Sequence, residues 1–164
     1  MNTAPSIELR ILDERLHEWG LPTYQTDLAA GIDLFACLAE PLVLKPQAPA
    51  VLVPTGLAMH MNTHDFCALV LPRSGLGHKR GLVMGNGTGV IDADYMAECF
   101  VSVWNRNPAL NDNPDTDASI TIQPGDRIAQ LLFVPVVRPT FTVVESFSSN
   151  SRRGLGGFGS TGVS

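Results

Sequence analysis

The chain predicts an all-β fold in a single domain. Three observations carry this: short apolar runs alternating with period two, proline and glycine punctuating them, and no segment with ten residues of helical periodicity. That pattern suits a sandwich, barrel or jelly roll. At 164 residues the chain is long enough to bury a sizeable core.

Taken in order, Ile7 to Leu12 sets Ile7, Leu9 and Ile11 against Glu8 and Arg10, a half-buried strand. Leu16 to Pro22 has no clear period and is expected to be an irregular connection. A strand follows Gly31, with Asp33 near its start. Leu42 to Leu44 and Ala50 to Met61 read as short strands, with Pro46, Pro49 and Pro54 marking ends and edges. Phe66 to Leu71 is a buried strand, and Ser74 to Arg80 has room for one helical turn. Gly81 to Met84 and Glu98 to Asn105 read as a β-hairpin whose glycine-lined mouth holds Asn86 and Asp92. Residues 107–119 are a polar loop rich in Asn, Asp and Pro. TIQPGDRIAQLLFVP gives strand, Pro124-Gly125 turn and strand. Val134 to Phe147 is expected to continue as strand, interrupted by Pro135 and Pro139. The glycine-rich tail has no apolar period and is expected to be flexible when unliganded.

Composition narrows the function. Apolar residues make up 45% and charged residues 16%, with net charge −5. The acidic balance argues against a general nucleic-acid binder. No apolar run reaches the ~18 residues a membrane span needs. The N-terminus lacks the basic-then-apolar pattern of a secretory signal, so a cytoplasmic location is expected. Cys37, Cys67 and Cys99 are odd in number, widely spaced and set among apolar residues, which suits buried free thiols. His60 and His64 lack metal spacing in a helical context and read as surface residues.

The unusual chemistry gathers between Pro72 and Glu98. This stretch is dense in glycine and carries Arg73, Ser74, Asn86, the close acids Asp92 and Asp94, and Tyr95. Glycine at that density is costly in chain entropy, and it suits backbone that turns sharply or approaches a ligand. In the tail, Gly154, Gly156 and Gly159 match the spacing of a dinucleotide fingerprint, but no strand-to-helix unit contains them. Flexible amides, Arg153, Ser160, Thr161 and Phe158 suit a closing lid instead. Amides and Arg hold phosphate oxygens, and the aromatic covers a flat ring.

Together the stretches AGIDL (30–34), PRSGL (72–76), GVIDADY (89–95), GDRIAQL (125–131) and RGLGGFGSTG (153–162) resemble the five motifs of the trimeric dUTP diphosphatase (dUTPase) family, bacterial branch, in the family's order. Departures are Ala97 where the family usually has Gly, Cys37 where Ala is common, and a long 107–119 loop. The resemblance implies a jelly-roll-like β-barrel over 1–151, with at most one short helix, and a lid at 152–164. It implies hydrolysis of dUTP to dUMP and pyrophosphate, which keeps uracil out of DNA and supplies dUMP for thymidylate synthesis. It also implies Mg²⁺ and a homotrimer with shared sites.

Residue by residue, the resemblance makes Asp92 the water-activating base and gives Asp94 a structural role, pointing the other way in an extended segment. Asp33 lies near the metal, through water, with Mg²⁺ held mainly by substrate phosphates. Arg73, Ser74 and Gly75 form the phosphate grip, and Gln130 contacts phosphate or water. Asp126 and Arg127 make structural ion pairs. Asn86, Val90, Ile91 and Phe100 supply the uracil edge, and Tyr95 packs under the sugar. Arg153, Phe158, Ser160 and Thr161 form the lid. The deoxycytidine triphosphate deaminase branch shares the fold but has a different pattern after the apolar strand, where this chain has Gly75. A β-sandwich nucleotide module without turnover is the non-enzyme reading, and Asp92, Ser74 and Gln130 speak against it.

Overall fold

The computed structural model describes residues 5–109 and 118–149. The tail residues Arg153, Phe158, Ser160 and Thr161 lie outside the described residues, as does most of the 107–119 loop. Two four-stranded antiparallel sheets and a two-stranded ribbon share one hydrophobic core. The strands are β1 (Glu8–Ile11), β2 (Gly31–Phe35), β3 (Leu42–Leu44), β4 (Val51–His60), β5 (Phe66–Pro72), β6 (Leu82–Met84), β7 (Gly89–Ile91), β8 (Glu98–Asn105), β9 (Ile120–Ile122) and β10 (Arg127–Pro135). One sheet runs β1-β4-β8-β6, the other β2-β10-β5-β7, and β3 pairs β9.

Period-two alternation explains the core. In β8, Cys99, Val101, Val103 and Asn105 point inward while Phe100 stays 44% exposed. In β2, Ile32 and Leu34 are buried, so Asp33 between them must face outward. Ala68 and Val70 of β5 and Ala129 and Leu131 of β10 complete the packing between the sheets. The buried polar side chains are bonded. Asn105 donates to the Leu44 and Ala118 carbonyls at 2.9 and 2.8 Å, and Thr55 donates to the Cys99 carbonyl at 2.7 Å. All three cysteines are free and buried. Burial pushes the Cys37 thiol up to about 12 and the Cys99 thiol up to about 11, the latter aided by the charge of Glu98.

Several expectations need correction. Leu16–Trp19 forms a one-turn helix, α1, inside the stretch read as irregular. Four residues are too few to show a period, and tertiary contacts fix the turn. Leu16 is fully buried, and Arg15 is tied to Asp13 and to the Leu38 carbonyl. The turn expected at 74–80 is present as a short π-helical segment, α2 (Leu76–Arg80). Pro54 marks an edge inside a long strand: β4 pairs β8 up to Pro54, where the register shifts, while β1 pairs only Leu57–His60, so among the described residues Pro54 is strand-paired on one side alone. Val136 to Phe147 is not a strand; β10 ends at Pro135 and the chain leaves the sheet. The Asn86 hairpin is also different. β6 and β8 do pair, but between them the chain crosses to the other sheet, where β7 pairs β5.

Asn105→Ala should cost about 2–4 kcal/mol of stability, because among the described residues the Leu44 carbonyl loses its side-chain donor, the Ala118 carbonyl keeps only Asn107 Nδ2 at 3.3 Å, and the Asn107 amide loses its acceptor. Urea unfolding of the variant against wild type measures this.

Candidate active site

β10 builds one cluster. It lies between β2 and β5, so Gln130 sits opposite Asp33 on one side and Leu71 on the other. The Gln130 amide donates from Nε2 to the Pro72 carbonyl at 3.0 Å. Its Oε1 lies over Gly31, where an added Cβ would stand 2.8 Å from that oxygen. Gly31 therefore has no side chain because the Gln130 amide occupies the space. Asp33 pairs with Arg73, Oδ1 to Nε 2.9 Å, and with Arg127, Oδ2 to Nη1 3.2 Å. Arg73 also donates to the Arg127 carbonyl at 3.2 Å.

Ser74 and Gly75 follow β5 directly and are exposed. Gly75 has ordinary helical angles, φ −64° and ψ −39°, and an added Cβ would meet nothing within 4 Å. Nothing among the described residues requires glycine there, so the open space suits an approaching group. Arg73, Arg80 and Arg127 line one cavity of about 340 Å³ with Asp126, over a floor that includes Leu76 and Ile128. Cation and donor density give this cluster the chemistry to hold an anion.

The second cluster lies at the other end of β5. Asp92 follows β7 and lines an open cavity of about 510 Å³ with Asp94, His60, Asn62, Thr63, His64 and Arg138. Asp94 does not point away from Asp92: the two acids, on either side of buried Ala93 in a turn, are both exposed and line the same cavity. His60 and His64 are surface residues, as expected, and line the same open cavity. Only the pairing of β4 with its neighbours and the return of Arg138 bring these residues together, so no local signal marks them. Tyr95 closes the turn, its amide donating to the Asp92 carbonyl at 3.1 Å and its hydroxyl to the Glu98 carbonyl at 2.9 Å.

Asn86 lies in the exposed turn between β6 and β7, and Val90 is 64% exposed. Ile91 is buried, so its side chain belongs to the core and only its backbone is available to a ligand. β7 is the last strand of its sheet and keeps a free edge of backbone donors and acceptors.

These clusters do not meet. Ile91 pairs Ala68, near the start of β5, while Arg73 and Ser74 follow its end at Pro72. The length of β5 separates them, roughly 20 Å at ~3.3 Å per residue.

Residues 17–162 match the family model described as dUTPase. The chain is 52% identical over 157 residues to the deoxyuridine 5'-triphosphate nucleotidohydrolase of Tolumonas auensis, covering 95% of this chain and 97% of that protein. It is 48% identical over 159 residues to the enzyme of the same name from Xanthomonas campestris, covering 96% and 97%. Among solved structures, a mutant Staphylococcus bacteriophage 80alpha dUTPase with dUpNHpp superposes with TM-score 0.82 at 29% identity, covering 98% of this chain and all of that one. A mutant dUTPase of S. aureus phage phi11, described as showing coordination of a structural Mg(II) ion, gives TM-score 0.74 at 29% identity over 88% and 99%.

Gly31→Ala should lower kcat/KM about ten- to a hundredfold by displacing the Gln130 amide, since small misplacements in a site are costly. Steady-state kinetics with a circular-dichroism control on the same sample measures this.

Proposed function

The chain belongs to the dUTPase family, and we propose that it hydrolyses dUTP to dUMP and pyrophosphate at sites completed between copies of a homotrimer. One observation carries the shared site: Asp92 and the anion grip stand at opposite ends of β5. A base must come within ~3 Å of the water it activates, and that water must touch a phosphorus already held by the grip. One chain cannot close roughly 20 Å, so Asp92 of one copy serves the grip of another. The segment after β10 supports assembly. Val137, Phe141, Val143 and Phe147 are all at least 87% exposed in the single chain, apolar surface that a second copy would bury.

In this reading Asp92 takes a proton from water as its oxygen attacks the α-phosphorus. The bond from that phosphorus to the bridging oxygen breaks, and pyrophosphate leaves. Arg73, the Ser74 hydroxyl, the Gly75 amide and Gln130 bind and orient the phosphates. Asn86, the Val90–Ile91 edge of β7 and Phe100 read uracil, whose N–H between two carbonyls matches fixed backbone partners. Tyr95, pinned by its bond to Glu98, packs under deoxyribose and leaves no room for a 2′-hydroxyl. Arg153, Phe158, Ser160 and Thr161 complete the site as a lid, on their sequence match.

The donor set fits Mg²⁺ arriving on the triphosphate. Among the described residues no three His, Cys, Asp or Glu side chains gather as a cage, and both Asp33 oxygens already accept from guanidiniums. Asp33 would thus face the ion only through its water. Bound Mg²⁺ supplies charge neutralisation on the phosphate oxygens. Among the described residues no helix is long and apolar enough to cross a membrane. Three free thiols accord with a cytoplasmic enzyme.

Asp92→Asn should retain dUTP binding and lose ~10²–10⁴-fold in kcat, the usual contribution of a positioned base; pyrophosphate release and calorimetry together measure it. Mixing is the sharper test. Inactive Asp92→Asn and inactive Gln130→Ala chains, unfolded and reassembled together, should regain about a quarter of wild-type turnover, as random assembly of a cyclic trimer requires. No recovery would mean that each site is built within one chain.

A further inference from the structure

The Asp33 carboxylate stands between two guanidiniums from two other parts of the sheet. Its side chain is 15% exposed, against 32% for Arg73 and 48% for Arg127. The acid therefore lies beneath the cations, and the cations face solvent. Arg73 is fixed twice, through Nε at Asp33 and through Nη1 at the Arg127 carbonyl. A guanidinium carries five N–H donors, and among the described residues Arg73 commits Nε and Nη1 but not Nη2. Among the described residues Arg127 commits only Nη1. Both arginines open into the same cavity.

Two guanidiniums this close repel, and the carboxylate between them offsets the repulsion. Each of its oxygens serves one arginine. Asparagine at this position would keep the shape, but its single carbonyl accepts from one arginine while its NH₂ group opposes the other. The neighbours of Asp33 are fixed too. Gln130 is directly opposite, and β2 holds the side chain outward between buried Ile32 and Leu34.

We propose that Asp33 is a positioning residue, holding Arg73 and Arg127 side by side as a two-guanidinium clamp on the terminal phosphates, and that Arg127 is thereby a substrate-binding residue. Asp33 then acts through the arginines, with or without the metal. Arg127 is more than a structural ion-pair partner. The proposal rests on the dUTP reading and names a further part of the same site.

The test is the affinity of full-length protein for α,β-imido-dUTP, which is not hydrolysed, measured by calorimetry in EDTA and again in Mg²⁺, with dUMP as control. Asp33→Asn should bind the analogue at least about tenfold more weakly under both conditions, the loss of charge-assisted bonds that are no longer aligned. The gain in affinity on adding Mg²⁺ should match wild type. Arg127→Gln should bind the analogue several-fold more weakly and dUMP normally. A simple loss of negative charge beside a polyanion would tighten binding in EDTA, and a metal-only role would leave it unchanged. Either result for Asp33→Asn overturns the clamp. Equal losses for the analogue and dUMP in Arg127→Gln, or no loss for either, overturn the role of Arg127. If Asp33→Asn does not assemble, Arg127→Gln carries the test, because its side chain is nearly half exposed and leaves no buried void. Wild type that fails to bind the analogue at all would defeat the dUTP reading itself, whereas variants equal to a binding wild type defeat only the clamp.

Discussion

Both halves of the site hang from β5. It lies between β10 and β7, and its inward residues Ala68 and Val70 are locked into the core. Its end delivers Arg73 and Ser74, and its start fixes β7 and hence Asp92. Strand rise is nearly invariant, so the separation of the two groups is set by backbone geometry and cannot be relaxed by side-chain motion. That rigidity is what the proposed assembly of copies rests on: each copy holds an arginine cluster at one end of β5 and Asp92 beside a strand edge at the other.

Around the arginine cluster, packing and chemistry make opposite demands on neighbouring residues. Ile32 and Leu34 must be buried for β2 to hold the sheet, which forces Asp33 outward toward two arginines. Gly31 must stay bare because the Gln130 amide fills the space of its Cβ. Gly75 is different, since among the described residues nothing lies within reach of the space beside it. The first glycine is explained by a neighbouring side chain and the second is not. The exposed apolar residues after β10 likewise lack a packing partner among the described residues.

Much of this was legible in the sequence where alternation was strong. Ile32, Leu34, Val101 and Val103 take the inward places that period two assigns them, and the unbroken apolar run Phe66 to Leu71 is the buried strand it was read as. The helix at Leu16–Trp19 was not legible, because one turn carries no period and Arg15 and buried Leu16 fix it through distant contacts. Pro54 was legible as an edge signal, because among the described residues β4 is strand-paired on one side only at that residue and shifts register just after it. Residues 136–147 misled because alternation of Val and Phe predicts a strand only if a neighbour is present to pair with it.

The sequence alone determined the inventory: an all-β domain, free buried thiols, and the acids, arginines, glutamine and glycines whose order resembles the dUTPase motifs. Those facts depend on residue type and short-range spacing, which a chain carries before it folds. Tertiary structure alone decided which of them meet. It put Asp33 between Arg73 and Arg127, laid Gln130 over Gly31, gathered His60, His64 and Arg138 around Asp92, and sent Ile91 into the core. Strand order and register set these meetings, and they depend on pairing between residues dozens of positions apart, which no local pattern records.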